Sequence, residues 1–191
     1  AVQNDAHALE FLQHAEALEN SSNRYFGHEQ LAGIRKQLSQ PSLSPPQRRS
    51  LLAQLSFHHL RLGNVKAARR SIDSAFGTGS GIANPQRLLL LKTRAMISLR
   101  EAEVENCITR HNAECCIFPL RGGGLHEISA PARAAARDLL EILSFSPEDE
   151  MVQWLLNLST MALGGYPQEV PESFRIPPDY FQSGDPGASF Q

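Results

Sequence analysis

Cysteine, long apolar runs and an excess of charge of either sign are what this sequence has least of. Its 191 residues include three cysteines and carry a net charge of −2. No window approaches the roughly 18 consecutive apolar residues of a spanning helix, so no membrane span is expected in these residues. The near balance of charge argues against nucleic acid as a partner. The densest basic run, residues 61–70 (RLGNVKAARR), is partly offset by Asp73 and reads as a solvated helix face. No C-x-x-C-H is present, so covalent haem of the c type is not indicated. The N-terminal residues themselves lack the basic and apolar regions of a signal peptide. The chain begins at Ala1-Val2-Gln3 without Met, which fits a terminus left by signal removal or by trimming, so the missing leader is no argument against export.

What is present is the composition of a folded protein: 41% hydrophobic and 20% charged residues exclude disorder of the whole chain. The length suffices for one domain or two closely packed helical halves. Helical periodicity runs through most of it. Residues 4–19 place Ala6, Leu9 and Leu12 on one apolar stripe with Asn4 or Asp5 as cap, and residues 28–38 repeat the pattern with Leu31, Ile34 and Leu38. Residues 46–62 and 64–76 read as two antiparallel helices joined at Gly63. Their Leu52, Leu55, Leu62, Ala68, Ile72 and Ala75 fall at roughly tetratricopeptide offsets. A long helix follows from Pro85 to about Arg110, capped by Asn84 and apolar on more than one face near its start, as for a helix buried between neighbours. Residues 130–143 and 148–163 form a second repeat-like pair, in which Trp154, Leu155 and Leu158 read as core. From Tyr166 the chain is Pro-rich (YPQEVPESFRIPPDYF), so extended backbone lying on the stack or leading to another domain is expected.

Histidines at 7 and 14 share a helix face, but no further ligand accompanies them, and they read as surface residues. His58 and His59 are adjacent on one helix, point about 100° apart and read as packing or solvent residues. The chemistry concentrates in residues 106–126, NCITRHNAECCIFPLRGGGLH, which hold every cysteine and the Gly122-Gly123-Gly124 run. Three readings are open there. A disulfide from Cys107 to Cys116, or to Cys115 in its place, would close a loop of about ten residues and contribute roughly 2.5–3 kcal/mol on the chain-entropy model; a bond between the adjacent Cys115 and Cys116 would be strained. Alternatively Cys107, His111, Cys116 and His126 form a metal set, although their spacing departs from the common zinc signatures. A Cys116–His126 hydrolase pair lacks an orienting carboxylate and a strand-to-helix elbow. The glycines, beside Arg121, offer either an anion cradle or a turn that lets backbone pack closely. Walker-A and dinucleotide spacing are absent, which favours the turn.

The residues Asn106-Cys107, His111, Cys116, Phe118-Pro119-Leu120 and Gly122-Gly123-Gly124-Leu125-His126 form one part of a wider pattern. With Trp154 to Leu158, Met161 to Pro167, Val170-Pro171 and Ile176-Pro177-Pro178, it resembles the N-terminal helical region of bacterial proteins of the ASPIC/UnbV type. In that family tetratricopeptide-like helices precede an FG-GAP (VCBS) repeat β-propeller. The resemblance is dense over 106–178 and only general before that. It implies export, Cys107 and Cys116 as the disulfide pair, and Cys115 as the extra thiol. It carries over no catalytic residues, and no calcium site, because the propeller's acidic loops are absent. It also implies that the chain stops about where the propeller would begin, as a fragment, a separate subunit or the ordered part of something longer.

The expectation is therefore an all-α protein: a tetratricopeptide-like helical hairpin stack over residues 1–165, with an irregular Cys/Gly-rich loop at 106–127, and a Pro-rich tail or linker at 166–191. Its expected role is a periplasmic or extracellular interaction domain without catalytic residues or a cofactor of its own. It docks a β-propeller or partner subunit, in a homo- or hetero-oligomer, with Arg121, Gly122, Gly123, Gly124 and His126 as contact residues. The alternative is a redox or metal-binding accessory subunit that holds copper, zinc or haem in the central loop.

Overall fold

The computed structural model describes residues 2–22, 28–79, 81–115 and 117–181. Among them the protein is all-helical, with no strand, and no described helix is long and apolar enough to cross a membrane. The chain forms two compact units, Ala1–Ile82 and Ala83–Gln191.

Unit 1 contains α1 (Val2–Ser22), α2 (Glu29–Leu38), α3 (Pro45–Arg61) and α4 (Val65–Phe76). Ser44 and Pro45 start α3, where Gln47 Oε1 accepts from the Ser44 backbone N–H at 3.0 Å and its hydroxyl at 2.8 Å. Gly63 turns the chain into α4 with φ of 75°, a conformation that side chains with a Cβ resist. Leu31 and Ile34 of α2 pack on Leu51 and Leu55 of α3, with Leu38, Leu43 and Leu62 around them. Ala68, Ile72 and Ala75 form the buried stripe of α4. The helix expected over 4–19 is present, but its stripe is not covered: Leu9, Leu12 and Phe11, the last 71% exposed, stand in solvent. His7 and His14 are exposed on the same helix.

Unit 2 contains α5 (Asn84–Ala102), α6 (Ala130–Phe145) and α7 (Glu150–Ala162). Small residues set its closest approach: Ala102, Ala132 and Ala162, one from each helix, meet in a cluster flanked by Leu120 and Leu163. Arg94 grips the buried Asp138 carboxylate with two hydrogen bonds, of 2.8 and 2.7 Å, and so ties α5 to α6. Three local expectations need correction. Asn84 is the first residue of α5, not its cap, and Pro85 takes the second position. Leu89 is exposed, so the apolar start of α5 is not buried all round. The start of α7 is Glu150, because Asp149 accepts from the Val152 N–H at 3.1 Å as N-cap. The same carboxylate takes a 2.5 Å hydrogen bond from Lys92, and that bond is the main reason its pKa falls below the ordinary carboxylate value.

Beyond α7 the described part of the Pro-rich segment folds back as turns and short 3-10 pieces, Glu172–Phe174 and Pro178–Phe181. The fully buried Asn157 holds it. Its Nδ2 donates to Phe174 O at 2.8 Å, and its Oδ1 accepts from the Ile176 N–H at 3.1 Å. Tyr166 adds a 2.6 Å bond from its hydroxyl to Ile176 O, and Val170 is buried.

Candidate functional site

The central loop begins where α5 widens. At Glu103–Ile108 the helix passes into a π-helical turn in place of the regular helix expected as far as 110. Such turns insert one residue and re-aim the side chains after it. The buried Asn106 spends its amide there. Its Nδ2 donates to Ala102 O at 2.9 Å and to Ile128 O at 3.1 Å, and its Oδ1 accepts from the Ile128 N–H at 2.9 Å. One side chain therefore supplies partners for both backbone groups of Ile128, which lies in no helix or sheet and whose burial would otherwise be costly.

This clamp positions Cys107. Its Sγ lies 3.6 Å from His126 Nε2, across 19 residues of sequence. The His126 backbone N–H donates to Ala162 O at 2.8 Å, fixing the histidine to the end of α7. Its Nδ1 is buried without a hydrogen-bond partner, and burial pushes its pKa below the ordinary value of 6.5. A neutral His126 imidazole is the state this environment favours. The third member of a hydrolytic set, an acceptor on Nδ1, is missing.

Cys107 and His126 line two cavities. The smaller one, of about 30 Å³, adds Cys115, Asn106, Arg110 and Glu127. The larger, of about 220 Å³, is apolar, with Leu99, Phe118, Leu120, Ala132 and Leu158 on its walls. A cavity of about 150 Å³ already admits benzene, so this one accommodates an aromatic or short aliphatic group.

The glycine run is explained by Glu114, a residue that sequence reading passed over. Its Oε2 accepts from the Gly123 N–H at 2.5 Å, Asn112 Nδ2 donates to Gly123 O at 2.7 Å, and Asn112 Oδ1 accepts from the Glu114 N–H at 2.9 Å. A Cβ on Gly124 would lie 2.7 Å from the Glu114 carbonyl oxygen, and one on Gly122, at φ of 55°, would lie 2.7 Å from its carboxylate. The chain's own carboxylate therefore occupies the cradle, and close packing requires Gly122 and Gly124 in particular. Arg121 is exposed beside them.

Of the residues singled out from sequence, the structure brings Cys107 and His126 together and sets Cys115 on the same cavity. It leaves His111 exposed and off both cavities. Cys116, and with it the expected Cys107–Cys116 bond, lies outside the described residues, among which no cluster of three metal-ligating side chains occurs. Trp154 is not core: it is 39% exposed, edge-on to Phe118 at 6.3 Å and stacked on Phe181 at 5.4 Å, while Tyr166 meets Phe181 edge-on at 5.8 Å. The spacing of these aromatics carries no signal of their meeting, because the turn at Gly164 and the strap after it make the cluster. No protein-family model, curated protein or solved structure matches the chain.

Proposed function

We propose that this chain is an exported interaction domain, built of tetratricopeptide-like hairpins of the ASPIC/UnbV type, that docks a β-propeller or partner subunit through unit 2. The observation that carries this reading is the aromatic face. Phe118, Trp154, Phe181 and Tyr166 form one connected ring cluster, and Phe118 and Trp154 remain partly exposed. The neighbouring Tyr180 is 81% exposed. Tryptophan and tyrosine on a rigid support are the residues that most often anchor an interface. The support is rigid because Asn157 and Tyr166 fasten the strap that delivers Phe181.

Tagged chain purified from the cells that make it, after mild cross-linking, is expected to retain one protein at fixed stoichiometry. Trp154→Ala and Phe118→Ala should each weaken that association about ten-fold or more, the cost of removing an anchor, without change in helical circular dichroism. A chain that retains nothing, or a partner indifferent to both substitutions, sinks the reading. Recovery of the chain from the cytosolic fraction alone would remove export from it.

The 3.6 Å between Cys107 Sγ and His126 Nε2 supports a second reading, metal binding. Two donors on one tetrahedral ion, at bond lengths of about 2.3 and 2.0 Å, stand about 3.5 Å apart. Elemental analysis with intact mass before and after reduction separates the two. Three alkylatable thiols with stoichiometric zinc or copper favour the metal; a mass two hydrogens short, with no metal, favours a disulfide-stapled scaffold.

A further inference from the structure

Unit 1 holds a cavity of about 260 Å³ where side chains of three successive helices meet. Arg35 comes from α2, His59 from α3, and Arg70, Ser71 and Ser74 from α4, above Leu52 and Leu55. Its chemistry is one-sided. His59 is only 6% exposed, and its Nδ1 is buried with no hydrogen-bond partner. Burial first, and then the charges of Arg35, Arg70, His28 and His58, push its pKa down, and no carboxylate contributes in the other direction. Arg35 and Arg70 form no ion pair among the described residues, whereas Arg87, Arg94 and Arg110 of unit 2 each meet a carboxylate. The Ser71 and Ser74 hydroxyls bond to carbonyls one turn back, at 3.0 and 2.8 Å, and either can turn its proton toward an incoming oxygen.

We propose that this cavity is an anion site that takes a phosphomonoester, with Arg35 and Arg70 as charge-assisted donors, His59 as a third, and the organic group resting on Leu52 and Leu55. Guanidiniums bind phosphate in fixed fork geometry. Donors converging from three helices exceed the two oxygens of a carboxylate and suit the three of a phosphate. A bound phosphate also supplies the negative charge that the surrounding cations lack. The site is independent of the aromatic face in unit 2, so either proposal stands without the other.

The test is titration of the full chain with inorganic phosphate, phenyl phosphate and acetate at ionic strength held constant with sodium chloride, read by the His59 ring resonances and the melting temperature. Saturable binding of both phosphates is expected, with phenyl phosphate several-fold tighter than inorganic phosphate and an upward move of the His59 titration midpoint on binding. Arg35→Gln and Arg70→Gln, both at exposed positions that the fold does not need, should each weaken binding about ten-fold. The double variant should abolish it, while Lys66→Gln leaves it unchanged. A response equal to that of sodium chloride alone, or undiminished in the double variant, overturns the site. Acetate binding as tightly as phosphate overturns its tetrahedral character, and phenyl phosphate binding no tighter than inorganic phosphate overturns the apolar floor.

Discussion

Unit 1 and unit 2 both fold helices back on one another around an apolar core, yet their irregular segments are fastened by different side chains. In unit 1 leucines and isoleucines of α2, α3 and α4 make the core, and Ser71 and Ser74 bond within their own helix. In unit 2 two buried asparagines, Asn106 and Asn157, each reach from a helix to an irregular segment and bond it with both ends of the amide. The difference follows from the backbone each must bury. A helix satisfies its own peptide groups, whereas the loop at 109–129 and the strap at 166–181 do so only in part, and asparagine carries both a donor and an acceptor for backbone groups left over.

The contrast can be tested from its strongest element downward. Ile72→Ala, at a fully buried position on α4, is expected to destabilise unit 1 by about 3–4 kcal/mol, read as lost hydrogen-exchange protection in α3 and α4; a change below about 1 kcal/mol would mean that apolar packing does not dominate there. Asn157→Ala leaves the Phe174 carbonyl and Ile176 N–H without their partner, at a cost of about 2–3 kcal/mol, and should open residues 166–181 to proteolysis; an uncut strap would contradict the clamp. In the central loop Gly124→Ala meets a backbone oxygen and should cost about 2 kcal/mol, whereas Gly123→Ala meets the ends of the Glu114 and Asn112 side chains and should cost less than about 1 kcal/mol. Denaturant melts that rank the two equally would refute the close packing.

The smallest effect is that of pH. His58 and His59 in unit 1 and His126 in unit 2 all have pKa values below 6.5. Each is held neutral in the fold, so its contribution is complete above about pH 6.5 and is lost as pH falls through the lower folded value. Asp149 is also lowered, and its contribution persists until pH falls below about 3.8. Both units should therefore loosen on acidification, unit 1 through two histidines and unit 2 through one, and His59→Gln should flatten the slope of unit 1 between pH 7 and 5. Stability that rises over this interval would reverse the sign.

Much of the helical layout was legible from residue spacing. The expected helices at 28–38, 46–62, 64–76, 130–143 and 148–163 differ from α2, α3, α4, α6 and α7 by at most two residues at either end, because periodicity, Gly63 and the prolines are local signals. Asp149 as the cap of α7 was also within reach of local rules, since aspartate is a strong N-cap. The exposed stripe of α1 was not, because periodicity announces an apolar face without announcing a neighbour to cover it. The candidate site was legible as a stretch, 106–126, but not as an arrangement. Glu114 filling the glycine cradle, and His59 lying beside Arg35 and Arg70, are meetings between residues that no fixed spacing links.

The amino-acid sequence by itself determined the all-helical class, the turns that separate the helices and the segment in which the thiols, imidazoles and glycines gather, since these follow from periodicity and backbone preference within a few residues. Only the tertiary structure decided that Asn106 and Asn157 would serve as clamps, that Cys107 would face His126 and that Trp154 would stand on an open aromatic face. Those outcomes depend on which residues far apart in sequence meet, and that is settled when distant segments pack.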